Sequence, residues 1–143
     1  MISTVETYDE LLEVIDLASR WGELGEHWSV PEEFSRELFL HLWVPRLGDP
    51  LWRIVYQRDE EEVVGAMALM LTIGVDANAE VRELFWIGGD RSLLTEAEEW
   101  ARGEGASRIV VGCSEGPAAA GISRIRVREG YVATERVFSK ELV

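Results

Sequence analysis

The stretch Glu83-Leu84-Phe85-Trp86-Ile87-Gly88-Gly89-Asp90-Arg91-Ser92-Leu93-Leu94 holds the change of pattern that decides the architecture. Val81 to Ile87 is dominated by large apolar side chains and predicts a strand. Gly88-Gly89-Asp90 breaks it. Leu93, Leu94, Ala97, Trp100 and Ala101 then recur at helical spacing, and Gly103 and Gly105 mark the end of that helix. Ile109, Val110 and Val111 predict a short buried strand. Strand, glycine turn, amphipathic helix and strand form a βαβ unit, which makes the two strands parallel.

Upstream of this unit the pattern predicts two helices and then strands. Tyr8, Leu11, Leu12, Ile15 and Ala18 share one helical face, with Thr4 or Thr7 as the cap and Gly22 and Gly25 as the stop. Ser29-Val30-Pro31-Glu32 reads as a capping box for a second helix through Phe34, Leu38, His41 and Leu42, ended by Pro45. Trp52–Gln57 and Val63–Ile73 read as a hairpin joined by the charged turn Arg58–Glu62. Asp76–Ala79 is a second turn. Downstream, a helix from about Ala118 to Glu129 precedes one or two strands between Tyr131 and Leu142. The expected class is mixed α/β, one domain over residues 1–143, with helices on the faces of a mixed sheet.

Composition narrows the function. The 143 residues are 47% hydrophobic and include six Trp, enough for a real core. The apolar run Val63–Val75 is too short to span a bilayer as a helix, and the acidic N-terminus is unlike a signal peptide. A lone Cys113 excludes an internal disulfide and a cysteine-rich metal site, so a reducing, cytoplasmic setting is expected. Two isolated histidines, His27 and His41, make no metal site and no nucleophile pair with Cys113. The net charge of −13 opposes nucleic acid and anionic membrane. It is uneven: residues 1–100 carry 22 acidic and seven basic groups, whereas residues 101–143 carry five and seven. An acidic mimic of nucleic acid is a weaker reading that rests on charge alone.

Three strings carry a family resemblance: Glu83–Ile87 running into Gly88-Gly89; the helix and exit from Leu93 to Ala106; and Arg128-Glu129-Gly130-Tyr131 followed by Phe138-Ser139-Lys140-Glu141-Leu142. Together with the element order they resemble the GNAT family of acyl-CoA N-acyltransferases over roughly residues 50–143. Shortened members of this look occur in phage genomes. The resemblance implies acetyl-CoA as co-substrate and a small-molecule or protein amine as acceptor, with no nucleic acid, membrane or metal, and it admits a homodimer. It implies backbone N–H groups of Trp86 and Ile87 orienting the thioester arm. The corner Gly88, Gly89, Asp90, Arg91 and Ser92 would hold the pyrophosphate at a helix start. It also implies Glu83 as general base.

The corner departs from the family pattern. No gap-free register restores the family's Arg/Gln-x-x-Gly-x-Gly/Ala loop, and Asp90 falls where its last small residue belongs. Asp90 is also a good N-cap, whose carboxylate would occupy the donors a phosphate needs and repel that phosphate. An ordinary strand–turn–helix corner is therefore one reading, and a catalytically inactive binding or assembly protein of this fold is the alternative function. Glu83 could equally be a strand-edge carboxylate facing water. The family's Tyr general acid is missing, with Arg126 near its position. Arg124, Arg126 and Arg128 suit either an anionic ligand or pairing with acidic groups of the N-terminal part. Tyr131 and most of Trp21, Trp28, Trp43 and Trp52 read as core.

Overall fold

Thr7 starts the first helix by a reciprocal exchange. Its hydroxyl accepts from Glu10 N at 3.2 Å, and Glu10 Oε1 accepts from Thr7 N at 3.0 Å. This capping box opens α1 (Tyr8–Leu24), whose Leu11, Val14, Ile15 and Ala18 are buried. The helix runs through Gly22 and does not stop there. The computed structural model describes residues 1–24, 35–112, 119–135, 138, 140 and 142. Gly25, His27, Trp28, the expected cap at 29–32, Phe34 and the segment 113–116 lie outside the described residues, as does the Trp21 side chain.

Ser35 caps α2 (Arg36–Trp43), its hydroxyl accepting from Leu38 N at 3.2 Å. Pro45 then turns the chain into a short 3₁₀ segment, Val44–Arg46. The strands are β1 (Ile2–Thr4), β2 (Trp52–Asp59), β3 (Glu62–Ile73), β4 (Ala79–Gly88) and β5 (Arg108–Val110). They lie side by side in chain order, the first three junctions antiparallel and β4–β5 parallel. The parallel junction is spanned by α3 (Arg91–Gly103), as the βαβ pattern requires.

β1 corrects the expectation that helices come first. Three residues are too few to show a period, and this strand exists through its pairing with Val55–Gln57 of β2. Side chains alternate across the sheet. Ile54, Tyr56, Ala66, Ala68 and Ile87 join α1 and Trp43 in one core. Their neighbours Val55, Met67, Leu69 and Val81 are buried on the other face, as are Leu93, Leu94, Ala97 and Ala101 of α3. At Ala68/Leu69 the register slips, Ala68 facing Phe85 and Leu69 facing Glu83, so Leu84 is an extra, exposed residue in a β-bulge.

The chain divides into two units, Met1–Gly112 and Cys113–Val143. In the second, α4 (Ala119–Arg128) is followed by a turn through Gly130, with Tyr131 N donating to Arg126 O at 2.9 Å. Tyr131–Glu135 is not part of a strand, contrary to the expectation for the C-terminal segment. Among the described residues no helix is long and apolar enough to cross a membrane, and no group of three His, Cys, Asp or Glu side chains stands ready for a metal.

Candidate active site

The β4–β5 ladder is short. It joins Glu80–Arg82 to Arg108–Val110 and ends there, while β4 runs on to Gly88 and stays paired with β3 along its other edge. The two parallel strands are fastened within this ladder. Glu80, 2% exposed, accepts from Arg82 Nε at 2.7 Å and from Arg108 Nε at 2.6 Å. Arg108 also grips Asp76 through two bonds of 3.1 Å. The Arg108 and Arg82 hydrogen bonds hold the Glu80 carboxyl below its usual range against the opposing effect of desolvation.

Backbone direction along β4 follows from the register. Gly89 N donates to Val64 O at 2.9 Å, on the β3 side. Alternation from that bond turns the Ile87 N–H to β3 and the Trp86 N–H to the opposite edge, beyond the end of the β5 ladder. The two amides expected to face a thioester arm therefore point to opposite edges of β4, Ile87 toward β3 and Trp86 away from it. Glu83 is half-buried, one residue before the bulge. A Cβ built on Gly112, just past β5, would sit 3.8 Å from Glu83 Oε2. The carboxylate therefore reaches toward the chain leaving β5.

At the end of β4 the chain turns through Gly88 (φ 58°) and Gly89 (φ 69°). Gly65 of β3 lies directly against this turn: a Cβ there would come 2.5 Å from Gly89 N and 2.9 Å from Gly88 C. Only glycine allows so close a passage. Asp90 then caps α3, its Oδ1 accepting from Ser92 N at 2.8 Å. The side-chain amide of Gln57 closes on the same residue, Nε2 donating to Asp90 Oδ2 at 2.9 Å and Oε1 accepting from Asp90 N at 3.0 Å. The Gln57 bond, then the Ser92 bonds, hold the Asp90 carboxyl below its usual range.

Other candidates fall elsewhere. Arg124, Arg126 and Arg128 are helical, so Arg124 and Arg128 share a face, and Arg126 pairs with Glu129 at 2.7 Å. Tyr131 is half-buried and His41 exposed. Trp43 is buried edge-on to Trp52, ring centroids 5.9 Å apart, and edge-on to Phe85 at 6.2 Å. Trp43 is core, as expected, and the partly buried Trp52 packs against it.

Solved structures of the same architecture span the whole chain. A GNAT family acetyltransferase from Staphylococcus aureus matches with a TM-score of 0.69 at 12% identity, over 99% of this chain and 98% of that one. Glucosamine-6-phosphate N-acetyltransferase from Arabidopsis thaliana gives 0.72 at 13%, over 100% and 98%. This is the GNAT fold. AAC(6')-Iy, solved with the bisubstrate analogue CoA-S-monomethyl-acetylneamine, has the GNAT fold too, with a TM-score of 0.73 at 12% identity over 100% and 97%. No protein-family model matches the sequence, and no curated protein matches it.

Within the GNAT fold of this chain, sequence reasoning missed Gln57 and the Glu80–Arg82–Arg108–Asp76 cluster. Gln57 stands 33 residues from Asp90, and only the β2–β3–β4 register brings them together. The spacing Glu80-x-Arg82 was the one visible signal for the cluster, since residues two apart in a strand share a face.

Proposed function

We propose that the protein is an N-acyltransferase that moves an acetyl group from acetyl-CoA to an amine by direct attack. The observation that carries this reading is the end of the β4–β5 ladder at Arg82 and Val110 while β4 runs on to Gly88, within the GNAT fold and beside the half-buried Glu83. The pantetheine arm would lie along that stretch of β4, extended like a strand, with the Trp86 N–H directed at it. The corner Gly88–Ser92 lies at the far end, where the rest of the donor emerges.

In this reading an amine enters as an ammonium and gives a proton to the Glu83 carboxylate, directly or through water. The neutral nitrogen attacks the thioester carbonyl carbon, the C–S bond breaks, and the departing thiolate takes up the second nitrogen proton, which leaves a neutral amide and a free thiol. The acidic bias of residues 1–100 concentrates cationic amines near the site. A small molecule or an exposed protein amine both meet that description, and the acetylneamine part of the AAC(6')-Iy analogue is an amine of this kind.

The test is amine-dependent release of free thiol from acetyl-CoA, measured over a panel of polyamines, aminosugars and peptides. The wild type should release thiol with at least one class. Glu83→Gln should lower kcat about 100-fold. Acetyl-CoA bound without thiol release from any amine would leave a non-catalytic binding module of this fold and contradict the proposal.

A further inference from the structure

The start of α3 is the natural place for an anion, because its first amides lack intrahelical acceptors and its dipole is positive there. In this chain a covalently attached anion already fills it. Asp90 Oδ1 takes the Ser92 amide, and Gln57 takes the Asp90 amide while donating to Asp90 Oδ2. Gly89 N is committed to Val64 O, and Leu93 N to Asp90 O at 3.2 Å. Four backbone amides of the corner, at 89, 90, 92 and 93, thus have internal acceptors.

Gln57 is not a loose surface residue. β2 sets its position, opposite Gly65, and its carbonyl packs against the turn: a Cβ on Gly89 would come 2.8 Å from Gln57 Oε1. A diphosphate arriving here must displace the Asp90 carboxylate from its amide and its clasp, and must face its charge. The arm of the donor would lie elsewhere, along β4 beyond the end of its ladder with β5.

We infer that Asp90, clasped by Gln57, is a donor-specificity residue: the site reads the pantetheine arm of an acyl thioester and draws no affinity from the diphosphate. The inference rests on the N-acyltransferase reading. The donor class is then any acyl-pantetheine thioester, with or without the nucleotide. Replacing Asp90 by a neutral capping residue restores an open anion site at the α3 start.

The experiment measures dissociation constants of S-acetylpantetheine and acetyl-CoA for the wild type, Asp90→Asn, Asp90→Ser and Gln57→Leu. Asn and Ser keep a cap without the charge, and thermal melts establish that each variant is folded. The wild type should bind the two donors equally, to within about threefold. Both Asp90 variants should shift the ratio toward acetyl-CoA by about tenfold or more, and Gln57→Leu should shift it in the same direction. A wild type that prefers acetyl-CoA by about 100-fold, or folded Asp90 variants with an unchanged ratio, would overturn the inference while leaving the N-acyltransferase reading intact. Folded proteins that bind neither donor would overturn both.

Discussion

Glu80 shows how one residue can serve the site without touching a substrate. It is buried, charged and bound to an arginine on each of two parallel strands. Removing it would leave Arg82 and Arg108 facing a void, although both guanidinium groups are partly solvated. We expect Glu80→Ala to cost about 1–3 kcal/mol, read from urea midpoints. Its pH dependence has a definite sign. The folded carboxyl titrates below the ordinary glutamate value of 4.5, so its stabilisation is complete above that value and is lost as pH falls through the folded one. The wild type should therefore lose stability in acid more steeply than Glu80→Ala. Asp90 was legible as a cap because capping is a local matter, set by residues two positions apart. The partner that clasps it was not, because only strand pairing brings Gln57 there.

At the scale of elements, the βαβ unit was legible because its signal is long and periodic. β3, β4 and α3 were expected at Val63–Ile73, Val81–Ile87 and Leu93–Ala101, and each differs by at most two residues at either end. β1 escaped for the opposite reason, having three residues and no period of its own. The bulge at Leu84 escaped too, since an inserted residue looks like any other until its partners are known. The contact of Gly65 with the Gly88-Gly89 turn is likewise a relation between elements, and it yields a prediction. Gly65→Ala places a methyl group against backbone that cannot move without shifting the start of α3. The variant should lose about 1–3 kcal/mol of stability, measured by thermal or denaturant unfolding. An unchanged melting temperature would mean that the turn has room the structure does not show.

For the molecule as a whole, the sequence reading reached the fold from a resemblance over its C-terminal two-thirds, and solved structures of the GNAT fold match the full length at 12–13% identity. Identity that low says little about chemistry, because folds outlast the sites they carry. What this chain shows is a β4–β5 ladder that ends at Arg82 and Val110, clamped by Glu80, and an α3 start capped by Asp90. The direct test is backbone amide hydrogen exchange with saturating S-acetylpantetheine. Slowed exchange confined to the β4 end, Trp86 foremost, with α1 unchanged, is the predicted result. Protection spread evenly over the chain, or none along β4, would contradict the account.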